Sequence, residues 1–353
     1  MSRVERVQRE LEKQNAEGLL VTKDVNRRYV SGFTGTAGAV LVTKSEAFFI
    51  TDFRYAEQAK AEVKEANIII HKGNLLKEIG LLVDKLALET ILIEENGITF
   101  KSYLDLKEYT SASLLPSHSL IEKIREIKDS TEMEKMYKAA EIADETFAHI
   151  INFIKPGLTE IEVRNELELH MRKLGATSSS FNIIVASGER AALPHGIASH
   201  KVIENGDMIT LDFGAVYEGY CSDITRTVSV GKPTEKFQEI YNIVLEALER
   251  GTKGICSQKP TKEIDRLARC YIDQHGYGEN FGHSTGHGLG LEVHEPLRLS
   301  SESEEVLQKG MVVTVEPGIY IPGWGGCRIE DDILVTDNGY ELLTKSSREL
   351  IIL

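Results

Sequence analysis

Over roughly the first 120 residues, short apolar runs alternate with charged stretches. GLLVT, AGAVLVT, AFFIT, NIIIH and TILIEE are rich in branched and aromatic side chains and predict strands. The charged segments between them predict helices, an α/β pattern for residues 1–125. Beyond that point the period changes. Met136, Ala140, Ala143, Phe147 and Ile150 recur at helical spacing, with Thr131 and Glu134 as a capping box at the start. Lys155-Pro156-Gly157 ends this helix, and Thr159 with Glu162 can cap the next. The chain therefore reads as two domains, 1–125 and 126–353.

The second domain returns to β-prone segments. Residues 208–230, MITLDFGAVYEGYCSDITRTVSV, form two apolar arms around a Glu218-Gly219 turn signal. A hairpin folded between Tyr217 and Glu218 would set Asp212 opposite Asp223, with Cβ atoms about 5 Å apart. Two carboxylates so close repel unless a cation lies between them. FGHSTGHGLGLEVHEP follows at 281–296, where glycines at 282, 286, 288 and 290 disfavour a continuous helix. A Gly-rich loop or β segment that lets backbone approach a site is the better reading. It holds one ligand histidine, His287, flanked by His283 and His294. MVVTVEPGIY then places Glu316 at a strand end, and CRIEDDILV begins a further strand with Arg328 and Glu330 on one face. From there the Arg328 guanidinium can orient Glu330 by a bidentate hydrogen bond.

Asp212, Asp223, His287, Glu316 and Glu330 make a hard, oxygen-rich donor set. It suits manganese, cobalt, iron or zinc and is a poor match for copper or an iron–sulfur cluster. Four carboxylates carry about −4, so two divalent ions neutralise them where one would leave about −2 buried. Two ions roughly 3.5–4 Å apart can share a water, lower its pKa and clamp the oxyanion of a hydrolysed carbonyl.

Composition narrows the partners. With 55 acidic and 41 basic residues the net charge is −14, which repels nucleic acid and anionic membranes. The start MSRVERVQRELEKQNAEG is charged and amphipathic, unlike a signal peptide, and no run approaches a membrane span. Four cysteines, at 221, 256, 270 and 327, lack CxxC spacing and predict free thiols in a reducing cytoplasm.

The ordered set LDFG, SDITRT, GHSTGHGLGLEVHE, VEPGIY and GGCRIEDD resembles the pita-bread metallopeptidases, proline dipeptidase and aminopeptidase P above all. GLLVTKDVNRRYVSGFTG and ITDFRY resemble the N-terminal domain that these enzymes share with creatinase. The resemblance implies an α+β fold, a pita-bread catalytic domain preceded by a creatinase-type α/β domain. It implies that Asp212 binds one metal and His287 and Glu316 the other, with Asp223 and Glu330 bridging both. Glu316 would also be the general base, while His195 in ALPHG, His283 and His294 would line the substrate pocket. Arg298 would hold a dipeptide's terminal carboxylate, although in VHEPLRLS the proline stands one place earlier than in relatives.

The activity so implied is hydrolysis of Xaa-Pro bonds with two divalent ions, manganese first and cobalt or zinc also accepted. The chain would act on proline-containing peptides as a cytoplasmic homodimer whose first domain reaches towards the partner's site. A proline dipeptidase is the leading expectation, with aminopeptidase P as the alternative. A metal-free creatinase-type hydrolase and an inert binding protein are disfavoured by the intact ligand set, and methionine aminopeptidase by the extra N-terminal domain.

Overall fold

A computed structural model describes residues 1–353, which divide into two compact units, Met1–Arg125 and Glu126–Leu353. Both are mixed α and β. No helix is long and apolar enough to cross a membrane.

The first unit is one six-stranded sheet. Strands β1 (Gly18–Val21), β2 (Ala39–Thr43), β3 (Ala47–Asp52), β4 (Asn67–His71), β5 (Thr90–Ile93) and β6 (Ser113–Pro116) lie in the order β4-β3-β2-β1-β5-β6. The β1–β2 and β2–β3 pairs are antiparallel and the rest parallel. The five expected strands are present; β6 is an additional, mostly exposed edge strand whose SLLP sequence is too short to carry a period. Helices α1 (Arg3–Lys13), α2 (Asp24–Ser31), α3 (Ala56–Glu62), α4 (Leu75–Lys85), α5 (Phe100–Tyr109) and α6 (Leu120–Arg125) complete the unit. Leu20, Leu41, Ile50 and Ile91 from the sheet pack with Ile79, Val83 and Leu106 from α4 and α5. In TDFRY, Asp52 caps a short turn of helix and accepts two hydrogen bonds from the Arg54 side chain, which hold its pKa down at about 2.

The second unit opens with α7 (Ser130–Phe153) and α8 (Glu160–Lys173). The box that starts α7 is Asp129 with Glu132, two residues earlier than Thr131 and Glu134, because Asp129 accepts from the Thr131 and Glu132 amides. The Thr159–Glu162 box at α8 forms as expected. These helices cover a sheet of β8 (Ile184–Ser187), β9 (Met208–Phe213) and β12 (Ile224–Ser229), in the order β12-β9-β8. Between them run β7 (Ser178–Ser179), β10 (Ala215–Tyr217) and β11 (Tyr220–Cys221).

A second helix pair, α9 (Glu235–Gly254) and α10 (Thr261–Gln274), packs on its own apolar core against another sheet. That sheet contains β13 (Gly286–Gly288), β14 (Glu295–Leu299), β15 (Val312–Val315), β18 (Asp331–Val335) and β19 (Tyr340–Leu342), ordered β14-β13-β15-β18-β19. The hairpin of β16 (Gly318–Ile321) and β17 (Gly325–Arg328) lies between β15 and β18 in sequence. Strand β12 is joined to the β17–β18 segment where the Glu330 amide donates to the Thr225 carbonyl and Thr227 Oγ1 donates to the Arg328 carbonyl.

The register of the 208–230 hairpin departs from expectation. Glu218 (φ 45°) and Gly219 (φ 89°) are both left-handed and together make a two-residue turn between Tyr217 and Tyr220. Counting out from that turn pairs Asp212 with Thr225, not with Asp223. Asp223 lies two residues along, in the break between β11 and β12, and shares the alternation of Thr225. Opposite the break, a Cβ on Gly214 would meet the Ser222 carbonyl at 1.8 Å, so only glycine permits the crossing.

Candidate active site

The ten residues singled out by sequence line one cavity of about 500 Å³: His195, Asp212, Asp223, His283, His287, His294, Arg298, Glu316, Arg328 and Glu330. Phe181, Asn182, Ile184, Pro194, Ile197, Ser284 and Val293 complete its wall.

Each acidic or imidazole donor is delivered by backbone held from behind. Asp212 is the fifth residue of β9. The Asp223 amide donates to Asp332 Oδ2 at 2.9 Å. His287 sits in the middle of β13, where a Cβ on the preceding Gly286 would meet the Thr314 carbonyl at 1.9 Å. This close approach is the role expected of the Gly-rich segment. Glu316 follows the last residue of β15, and its amide donates to the Thr285 carbonyl. The backbone carbonyl of Glu330 accepts from the buried guanidinium of Arg226, which also pairs with Asp331.

The side chains converge. One donor atom each from Asp223, His287 and Glu330 lie within 4.8 Å of one another. His287 Nε2 is 3.4 Å from Glu316 Oε1 and 3.7 Å from Asp223 Oδ2. Burial and the neighbouring His294 push the His287 pKa down to about 3, so the ring is neutral at pH 7. With Nδ1 set against the Gly288 carbonyl at 3.1 Å, the free lone pair is on Nε2 and faces the carboxylates.

The carboxylates behave oppositely. Burial, with the charges of their neighbours, pushes Asp223 and Glu330 well above the usual range, and Glu316 up to about 7. Asp212 Oδ1, Asp223 Oδ1 and Glu330 Oε1 are buried without a hydrogen-bond partner. Such atoms are costly unless something else binds them. Four carboxylates and the Arg328 guanidinium leave about −3, a charge that two divalent cations bring within one unit of neutrality. The donor set fits divalent metal ions.

Arg328 is the main correction. It does not grip Glu330 two residues on. Its Nη2 donates to Asp212 Oδ2 at 2.5 Å, its Nη1 to Tyr320 Oη at 2.6 Å and to the Pro194 carbonyl at 3.1 Å. Glu330 is instead held by Thr225 Oγ1, which donates to Oε2 at 2.6 Å. The hairpin register explains the exchange, because it brings Thr225 and not Asp223 to the position beside Asp212.

The histidines form the remaining wall. His283 Nε2 lies 2.9 Å from Tyr320 Oη and Nδ1 lies 2.8 Å from the Ser284 carbonyl. Burial and Arg328 push its pKa down to about 4. His294 stacks edge-on to His287 with ring centres 4.4 Å apart, and burial together with Arg298 lowers its pKa. His195 is exposed on the turn before Ile197. Arg298 pairs in register with His287 and spends one nitrogen on the Glu295 carbonyl, with no carboxylate in ion-pair reach.

Comparison with known proteins fits this geometry. Residues 134–337 match metallopeptidase family M24, and residues 3–127 match the creatinase/prolidase N-terminal domain. The chain belongs to the M24 metallopeptidases. It is 55 % identical to the solved Xaa-Pro dipeptidase of Bacillus anthracis, covering 99 % of each chain with a TM-score of 0.98. It is 43 % identical to the Xaa-Pro dipeptidase of Pyrococcus horikoshii, over 97 % of this chain and 96 % of that one. It also resembles the solved X-Pro aminopeptidase of Thermotoga maritima, at 39 % identity and a TM-score of 0.91 over 98 % of this chain and 100 % of that one. The α+β fold, with a creatinase-type domain before a pita-bread domain, is as the sequence leads one to expect.

Several residues of this M24 peptidase site are silent in the sequence. Tyr320 joins His283 to Arg328, and Thr225, Thr314 and Asp332 hold site residues from behind. Tyr320 stands in the VEPGIY segment but four residues past Glu316, with no period or charge to mark it. Cys221 and Cys327 are buried and absent from the cavity wall; burial pushes the Cys327 thiol up to about 12.

Proposed function

We propose that this M24 peptidase is a proline dipeptidase that cleaves the Xaa-Pro bond of dipeptides with two divalent ions, manganese first. Residues 126–353 form its catalytic domain. The observation that carries the reading is the trio of unpartnered buried carboxylate oxygens on Asp212, Asp223 and Glu330, all facing one cavity. With His287 and Glu316 they are the residues that would hold the ions. Bound there, the ions would supply Lewis acidity towards a water and the scissile carbonyl.

The rest is the work of the chain. Glu316, on the cavity wall with its Oε1 3.4 Å from His287 Nε2, takes the proton from the attacking water. His283, neutral and backed by Tyr320 and Arg328, contacts the reacting centre, with His195 and His294 on the same wall. Arg328 fixes Asp212 so that one oxygen stays free. Arg298, lacking a carboxylate partner of its own, receives the terminal carboxylate of a dipeptide. Phe181, Ile184, Ile197 and Val293 give the cavity an apolar side against which an imide ring can lie.

The likeness to the Thermotoga maritima aminopeptidase supports a second reading, removal of a residue before proline from longer peptides. Hydrolysis of Ala-Pro and of Ala-Pro-Ala-Ala by metal-stripped protein reloaded with manganese separates the two. Cleavage of the dipeptide in strong preference is expected. Preference for the tetrapeptide would replace dipeptidase by aminopeptidase, and cleavage of neither with any divalent ion would remove both.

A further inference from the structure

His283, the histidine read as contacting the reacting centre, does not sit in a regular strand. The segment Phe281–Thr285 has no ladder of its own before β13 begins at Gly286. A side chain on such a segment is placed only as well as its backbone is tied down. Here the tie comes from one face of α10, outside the cavity wall. Asp265, 1 % exposed, accepts from Arg269 Nε through Oδ2 and from Nη2 through Oδ1, both at 2.8 Å. The guanidinium held this way donates through Nη1 to the Phe281 carbonyl at 2.8 Å and through Nη2 to the His283 carbonyl at 2.7 Å. Its carbon stands 4.3 Å from the centre of the Phe281 ring. Asp265 Oδ1 also accepts from Thr285 Oγ1 at 2.8 Å. One ion pair, its carboxylate buried and its guanidinium half-buried, thus grips the loop on both sides of His283.

We propose that Arg269, anchored by Asp265, is a positioning residue for His283 that sets the histidine's aim at the substrate. Neither residue lines the cavity. The fork matters more than the charge. Two carbonyls and two carboxylate oxygens are satisfied at once by four of the guanidinium's five coplanar N–H groups, a pattern that lysine cannot reproduce. The loss in Arg269→Lys therefore falls on turnover and not on substrate capture or metal retention. This inference rests on the reading of His283 as a group that contacts the reacting peptide.

The test is a double-mutant cycle on the manganese-loaded full chain, with Ala-Pro as substrate. Arg269→Lys is expected to lower kcat about tenfold with KM within about twofold and bound manganese equal to wild type. In a His283→Ala background the same change should cost less than twofold, because the residue through which it acts is gone. Equal losses in both backgrounds, or no loss in the first, would overturn the proposal. Independently of activity, the His283 imidazole NMR signals should shift in Arg269→Lys more than those of His195 and His294. Unmoved His283 signals would also overturn it. Inactive wild-type protein would remove the functional reading, while the NMR comparison still decides the clamp. Should Arg269→Lys fail to fold, Asp265→Asn is read by the same two measurements.

Discussion

Two buried carboxylate clusters in the catalytic unit face opposite ways in energy. Glu160, at the first position of α8, is fully buried and yet its pKa is below the ordinary range. Burial alone pushes it up, but the Ser199 and Ser187 hydroxyls and amides and the Arg190 guanidinium all donate to it and together outweigh burial. Glu330 is 2 % exposed and has one donor, Thr225 Oγ1, with nothing on Oε1. Burial and the charges of Glu316 and Asp212 push its pKa well up. The first cluster is complete as protein. The second is complete only with cations, and this difference separates a structural acid from a ligand where burial and residue type do not. The first unit repeats the hydrogen-bonding part of the structural pattern: both oxygens of buried Glu94 accept, from the Thr22 and Lys23 amides and the Asn26 side chain, although burial still pushes its pKa up.

The comparison breaks most visibly by substitution. Glu330→Ala should lower kcat/KM on Ala-Pro by at least about 10³-fold, about 4 kcal/mol of transition-state stabilisation. The thermal midpoint of the metal-free protein should not fall, because a repelled charge has been removed. Glu160→Gln should do the reverse. Placing an NH₂ group among donors costs about 3 kcal/mol and lowers the midpoint by about 5 °C, with kcat/KM within about threefold. Steady-state kinetics and thermal melts on both variants check this. Near-normal turnover in Glu330→Ala would end the idea that the unfinished cluster is functional.

A smaller effect sharpens it. Manganese at about 100 times its Kd should stabilise the stripped wild type by about 2.7 kcal/mol, a rise of about 5 °C in the melting midpoint. Glu160→Gln should keep that rise and Glu330→Ala should lose most of it. A rise of equal size in both variants would place the ion elsewhere.

How much of this was legible depends on where each signal resides. The chemistry of Asp212, Asp223, His287, Glu316 and Glu330 was readable because scarce residue types sit in short contexts marked by Gly or Pro. The way they are held was not. The Glu218-Gly219 signal located the turn, but both residues have positive φ and belong to the loop, so a count from Tyr217 missed the register by two. That slip exchanged Thr225 for Asp223 as the neighbour of Asp212. Sequence proximity points Arg328 at Glu330, whereas it bonds a carboxylate 116 positions away. Side-chain period reports which face a residue is on, not which strand lies across from it. DSTEME offers two acceptors three residues before a glutamate, so the sequence leaves the capping box of α7 ambiguous, and the backbone uses Asp129. Short β6 has no local pattern to read, and the Asp265–Arg269 pair, though at i,i+4 spacing on a helix, gives no sign in sequence of the loop it grips.

The smallest effect is a slope of stability with pH in the metal-free protein, and its sign follows from the site alone. A carboxyl whose pKa is raised on folding binds more protons folded than unfolded, so it lowers stability as pH rises through its folded pKa. Glu316, whose folded pKa is about 7, gives its share of that loss up to about pH 7, and the raised Asp223 and Glu330 act with the same sign. Below pH 6.5 the slope is masked. His283 and His287, lowered to about 4 and about 3, bind protons only when unfolded there and make stability rise with pH. Glu160, lowered, contributes fully above pH 6.5 and loses its contribution only in acid. Metal-free protein should therefore melt at progressively lower temperature as the pH rises above 6.5, by at most about 1.4 kcal/mol per pH unit for each group. Manganese should flatten the slope, since ligation requires the ionised form and expels those protons. Melts at pH 6.5, 7.25 and 8 with and without manganese measure it. A flat or rising metal-free profile would mean that the site carboxylates are already ionised, and that the unfinished cluster is stabilised by something other than a cation.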